Sequence, residues 1–309
     1  MWILAASIGH ADDLDITYQG LVSVAAEATD QFTLQPIEAE FDVAGETGIL
    51  SFRADLDVRV DALGVTTEDG EFGFTPPLGP EWAMVQIGRR EYVRFGVTNP
   101  QIGFEDWDPW VNYLPTYGIL FNGASPGRNL GVEVGIVSEG GVDTFLWAGQ
   151  DLEWGYPMAG AGVSYAGDAF GTWSGVVAYP TAENAIDGSK GTYATFDSFE
   201  FYPATALTVT LDGGAGVVTG KPFAGGQLFL NALPEEIFGV VGRIQGAWAE
   251  DDAFDQYGTT TPSLTAGLGV RAEPGDYVRF DVEGKMQRFD GDWQPMLHAR
   301  LTLRAPAVD

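Results

Sequence analysis

From Leu50 to Asp61 the chain reads LSFRADLDVRVD, with Leu50, Phe52, Ala54, Leu56, Val58 and Val60 on the even positions and only Ser, Arg and Asp on the odd ones. Unbroken period-two alternation is the mark of a strand with one apolar and one polar face. At about 3.3 Å per residue the segment spans roughly 40 Å, about twice the length of an ordinary globular strand. A chain built from such segments must form long strands and must give their apolar face something other than water.

The alternation recurs. Ile16, Tyr18, Val22 and Val24 share a face, as do Leu130, Val132, Val134 and Ile136, which alternate with Gly131, Glu133 and Gly135. Leu264 to Arg271, Val278 to Met286 and Leu297 to Arg304 repeat it near the far end. Short connections fall near 44–48, 89–91, 138–142, 167–171, 203–205, 234–236 and 273–276. Longer ones fall near 27–31, 62–80, 99–128, 151–157, 181–193, 214–224, 250–262 and 289–294. This spacing predicts about sixteen antiparallel strands in up-and-down order, in one domain over residues 12–309. An even count returns both chain ends to the short-turn side, as in bacterial outer-membrane barrels. Residues Met1 to Ala11 (MWILAASIGHA) read as the remnant of an export signal.

Two all-β architectures alternate in this way. A sandwich turns its apolar faces inward onto large side chains. A transmembrane barrel turns them outward to lipid and keeps small and charged residues in a wet lumen, closing its sheet because hydrocarbon satisfies no backbone group. Here the polar faces are rich in glycine, of which the chain has 42, and mix Arg with Asp on single strands. The expectation is therefore a transmembrane β-barrel of a Gram-negative outer membrane, passing small hydrophilic solutes or ions by diffusion. The alternative is a secreted soluble all-β protein that binds or hydrolyses carbohydrate. Tyr18, Phe32, Trp82, Tyr92, Tyr179, Tyr202, Trp248, Tyr257, Tyr277, Phe289 and Trp293 lie near strand ends, where aromatic girdles sit at membrane interfaces.

Charge narrows the partners. A net charge of −29, from 44 acidic and 15 basic residues, repels phosphate and so disfavours nucleic acid. Outer-membrane lipid, small solutes or ions, and further copies in a homo-oligomer remain as expected partners. The chain has no Cys and two His, His10 and His298, which leaves little material for thiolate or histidine chemistry. It holds no phosphate-binding loop, nucleophile elbow or HExxH. Carboxylate pairs such as Glu105/Asp108 and Asp251/Asp252 could serve glycoside hydrolysis but arise by chance among so many acids, and the runs Glu250-Asp251-Asp252 and Asp290-Gly291-Asp292 offer oxygen ligands for Ca²⁺ but more often are solvated loop surface. No catalytic residue, metal or cofactor is expected.

The expected site is the lumen itself. The strand registers turn Arg53, Arg59, Arg94, Arg243, Arg271, Arg279, Lys285, Arg300 and Arg304 inward, mostly from strands near the two ends of the chain. Those ends become neighbours on closure and make one wall basic. Asp55, Asp57, Asp281 and Glu283 are interleaved there. Such a web either rigidifies the wall or selects solutes. The longest connection, 99–128, carries Phe104, Trp107, Trp110, Tyr113, Leu114 and Tyr117 beside Glu105, Asp106 and Asp108. Folded into the lumen, it sets acids against the basic wall; folded outward, it is an aromatic lid.

The run Tyr92-Val93-Arg94-Phe95-Gly96-Val97-Thr98-Asn99-Pro100-Gln101-Ile102-Gly103-Phe104-Glu105, followed by Asp108-Pro109-Trp110, resembles the OmpL-like β-barrel porin family. The resemblance covers about a tenth of the chain, with strand spacing alone similar elsewhere. It implies an outer-membrane pore with an inward loop and carries no catalytic residue.

Overall fold

The computed structural model describes residues 15–28, 32–34, 37–60, 79–98, 114, 129–152, 156–183, 190–218, 221–232, 237–249, 264–289 and 292–305. Nearly all of them are strand. In chain order these are β1 (Asp15–Ala28), β2 (Phe32–Leu34), β3 (Ile37–Thr47), β4 (Leu50–Val60), β5 (Gly79–Ile87), β6 (Glu91–Thr98), β7 (Asn129–Val137), β8 (Asp143–Asp151) and β9 (Pro157–Ala166). They continue as β10 (Phe170–Glu183), β11 (Lys190–Ala204), β12 (Leu207–Val218), β13 (Lys221–Ala232), β14 (Phe238–Ala249), β15 (Leu264–Gly275), β16 (Val278–Phe289) and β17 (Asp292–Arg304).

Each strand from β3 onward pairs antiparallel with the next, and β1 pairs with both β3 and β17, so the sheet closes. The three-residue β2 lies against Ala26–Ala28 of β1, above the β3 ladder on the same side. Gln35-Pro36 stands between β2 and β3, and its proline has no amide hydrogen to give a ladder. Counted around the ring, the barrel has sixteen staves, β2 and β3 sharing one. Sixteen strands enclose an aqueous channel rather than a filled core. A two-sheet sandwich is excluded by the closure.

Tight hairpins gather at one end, at 48–49, 88–90, 138–142, 167–169, 205–206 and 276–277. The start of β1, opposite Glu46, and the end of β17 lie at that end too. Four described glycines, Gly48, Gly88, Gly96 and Gly141, have positive φ, and two of them show what the backbone requires. Gly48 turns the β3–β4 hairpin with φ 56°, and Gly96 sits in β6 with φ 124°, where a Cβ would overlap the Ala83 carbonyl. One connection departs from expectation. Residues 214–224, expected as a loop, are mostly strand, because β12 and β13 pair directly from Leu207/Ala232 to Val218/Lys221. The glycines there resemble a turn in sequence, yet Gly214 lies beneath the Phe196 ring and Gly216 against the β11 backbone.

The faces are inverted relative to a soluble protein. Val132, Leu146, Ile244, Leu268, Val270 and Leu297 stand outward, each 40–60% exposed. Their sequence neighbours Glu133, Arg243, Arg271 and His298 point inward and are buried. Tyr18, Trp248, Tyr277 and Trp293 are exposed on the outside near strand ends, where amphipathic rings suit a membrane interface. Tyr92 and Tyr179 are corrected: both are 3% exposed and face the lumen, where their hydroxyls meet acids. Tyr202 also turns inward, to Glu200. The side chains of Phe32, Trp82 and Phe289, and all of Tyr257, lie outside the described residues.

If hydrocarbon covers this exterior, Leu268→Arg should cost about 2–4 kcal/mol of folding stability in lipid vesicles, as expected for a cation near the midplane. Leu268→Phe should cost little. Urea titration followed by tryptophan fluorescence measures both, and equal tolerance of the two would show that this face does not meet lipid.

Candidate functional site

Within the ring, cross-strand register stacks lumen residues into lateral rows. One row runs Arg271, Asp281, Arg300, on β15, β16 and β17. The next runs Asn231, Val241, Gly269, Glu283, His298 and Glu27, from β13 across the seam to β1. A third runs Phe229, Arg243, Gly267 and Lys285. Neighbours within a row are close enough to interact, and residues two strands apart are not unless the side chain between them is small.

On β15 the intervening residues are Gly267 and Gly269. Their missing side chains let Arg243 of β14 reach Glu283 of β16, with Arg243 Nη2 2.6 Å from Glu283 Oε1 and both side chains fully buried. A Cβ at Gly267 would stand 2.8 Å from that same Glu283 oxygen. Arg243 also lies over the Phe229 ring, its Cζ 5.8 Å from the centroid. Asp281 is shared: Arg279 Nε donates at 3.0 Å and Arg300 Nη2 at 3.2 Å. Arg271 pairs with Glu273 at 3.2 Å, and His298 Nδ1 lies 3.5 Å from Glu27. A charge taken out of water is costly unless paired, and the arginine charges are arranged in pairs with acids.

Leu114, the one described residue of the 99–128 connection, lies inside this wall. It is 3% exposed and packs with Phe229 and Val241. A Cβ at Gly269 would overlap its Cδ2. Arg300 Nη2 approaches its carbonyl at 3.5 Å.

The other expected residues fall as follows. Arg53, on β4, pairs with the fully buried Asp55. Arg94, on β6, donates from Nη1 to Glu133 at 2.6 Å and from Nε to Gln86 at 2.7 Å, with its Cζ 4.4 Å from the Tyr92 ring centroid. Arg304 turns inward to Gln19 at 2.6 Å, and Lys285 is buried. The structure thus gathers Arg243, Arg271, Arg279, Lys285 and Arg300 on one wall, while Arg53 and Arg94 stand separately further round. The backbones of Asp57 and Arg59 pair with Glu40 and Glu38, but their side chains are outside the described residues, as are Glu105, Asp106 and Asp108 altogether.

Sequence reasoning missed two features. One is the opposite wall, where Tyr92, Phe145, Trp147, Met158, Val177, Tyr179, Ala194, Phe196 and Phe223 form one buried cluster on lumen-facing positions. Cross-strand glycines make room for it: Gly160 lies under Trp147 and Gly162 under Phe145. The Tyr92 hydroxyl lies 2.9 Å from Asp143 Oδ2 and 3.1 Å from Glu133, with one proton to share, and Tyr179 donates to Asp151 at 2.9 Å. Large apolar residues on both parities of β8, Phe145 and Trp147 against Leu146, were the available signal. The other missed feature is the acidic pair Glu40 and Asp42 on β3.

With this geometry in view, solved structures can be compared. The chain superposes on the outer-membrane channel DcaP of Acinetobacter baumannii with a TM-score of 0.65 and 13% identity, over 98% of this chain and 100% of that one. Salmonella typhi OmpF, in complex with daunomycin, gives 0.70 and 9% over 96% and 98%. An anion-selective porin from Comamonas acidovorans gives 0.67 and 12% over 95% and 100%.

The fold is that of the outer-membrane porins.

At these identities the porin likeness concerns the fold alone. No protein-family description matches the chain, and no curated protein matches it. The porin barrel therefore rests on the closed ring and these superpositions, and the ion-pair rows belong to this chain.

Removing one member of a fully buried pair strands the other. Arg243→Met or Glu283→Met alone should lower stability by about 3–5 kcal/mol, and the double variant should recover most of that loss. Denaturation of detergent-purified protein tests the cycle. Additive losses would mean that the two charges are solvated independently.

Proposed function

We propose that this chain is an outer-membrane channel for passive diffusion of small hydrophilic solutes or ions, with no catalytic step. The observation that carries the proposal is the inverted barrel: apolar residues outward on sixteen staves, and paired charges inward on the walls of a ring wide enough for water. The run Tyr92 to Trp110, with its resemblance to OmpL-like porins, agrees with it. So does the seating of Leu114 in a gap left by glycine, which supports an inward fold for 99–128. In that arrangement Glu105, Asp106 and Asp108 stand across the lumen from the arginines, and the field between them selects what passes. In the same reading Asp57 and Arg59 of β4 line the pore apart from the arginine wall of β14 to β17.

Purified protein in a planar bilayer should give discrete conductance steps. A net charge of −29 makes the mouth attractive to cations, so reversal potentials under a KCl gradient should show cation preference at low salt that fades as the Debye length falls from ~30 Å at 0.01 M to ~3 Å at 1 M. Anion preference at low salt would assign control to the arginine wall. Absence of steps from a folded, heat-modifiable barrel would overturn the channel itself.

The loop has its own test. Deleting residues 106–113 should raise single-channel conductance, and Gly269→Phe should do the same by displacing Leu114 from its seat. Unchanged conductance in both folded variants would mean that the loop does not narrow the pore.

A further inference from the structure

On the side of the lumen reached from the seam through β1, two acids face each other. Asp42 of β3 and Asp55 of β4 are direct cross-strand partners. Like charges so placed destabilise a ladder. Glu40, two residues along β3 on the same face, joins them, and carboxylate oxygens of all three lie within 4.8 Å of one another.

The local chemistry leaves this arrangement incomplete. Asp55 is fully buried, and Arg53 forms an ion pair with it. Asp55 Oδ1 and Asp42 Oδ1 are nevertheless buried without any hydrogen-bond donor. A buried carboxylate oxygen with no donor has lost its water and gained nothing in exchange. Two carboxylates with orphaned oxygens, and a third within 4.8 Å of them, do not converge at low cost unless a cation sits between them.

We propose that Glu40, Asp42 and Asp55 form a binding site for a hard divalent cation of calcium size on the lumen wall. Calcium takes six to eight oxygen ligands at about 2.3–2.6 Å, so one ion spans oxygens up to about 4.8 Å apart. Carboxylates supply the hard ligands, and a wet lumen supplies water for the remaining positions. The ion offsets the charge that Arg53 leaves uncompensated and satisfies both orphaned oxygens. The position is also informative: β3 and β4 meet here beside the seam strand β1, so a bound ion ties the wall together where the ring closes.

The test uses the full-length barrel in detergent, stripped with EDTA, with CaCl2 added at constant ionic strength and thermal unfolding as the readout. Conduction is not needed, so the outcome is independent of the channel proposal. The unfolding midpoint should rise with calcium and saturate. Asp42→Asn should abolish the rise or weaken the apparent affinity at least about tenfold, the lower end of the cost of disturbing a metal ligand's partner. In EDTA that variant should unfold no earlier than wild type, because a like-charge pair has been removed. Glu139→Gln, on an exposed turn, should keep the full response, which separates the site from diffuse binding to an acidic surface. A wild-type midpoint indifferent to calcium would overturn the proposal, as would a rise that survives Asp42→Asn. A rise produced by mild acid in EDTA, with none from calcium, would assign the cluster to a shared proton and overturn it too.

Discussion

The architecture of this molecule turns on one constraint: a strand's backbone amides and carbonyls must find partners on both of its edges. A strand meets half of that need on each side, so a sheet with an edge fails and a ring succeeds. The pairing of Leu21–Ala28 with Leu297–Arg304 is what turns sixteen staves into a ring. Once closed, the pleat leaves no freedom: alternate residues go to the outer face or to the lumen, and the side-chain sequence must match that assignment on every strand. The outward Val, Leu and Phe and the inward Arg, Asp and Glu are the result.

Where a strand separates its faces cleanly, the sequence was readable. On β16 and β17 the apolar and charged residues alternate so strictly that parity alone turns Arg279 and Arg300 inward, and both are buried. On β8 the signal fades for a physical reason: Phe145 and Trp147 point inward while Leu146 points out, so both faces are apolar and no period survives. The glycines of β12 and β13 misled in the opposite direction, since residues that accommodate a neighbouring ring look like residues that turn a chain. Tyr92 and Tyr179 sit where girdle aromatics belong and yet turn inward, because each hydroxyl has an acid to reach. Facing carboxylates such as Asp42 and Asp55 depend on register across a hairpin, which single-strand patterning does not carry.

The two walls of the lumen are of different kinds. From β14 to β17 the wall is a lattice of paired charges, held at its centre by two absent side chains on β15. From β6 to β13 it is a slab of rings set into glycine hollows. The second wall also carries acids, Glu133 and Asp151, held by the Tyr92 and Tyr179 hydroxyls, but its charges are sparse beside the paired lattice of the first, so the field across the bore is uneven. For the proposed channel, selection resides in that asymmetry of the lining rather than in a single residue.

The seam has a consequence in time. Residues 21 and 304 come from near opposite ends of the chain, so the contact that abolishes the last open edge is also the one with the greatest loop to close. Every hairpin from β3 to β16 can form between sequence neighbours, but none of them removes the open edges. Until β1 meets β17, the growing sheet has two bare edges that would pair with any strand available. For this chain the step that completes the ring is therefore also the step that ends its capacity to pair edge to edge with other strands.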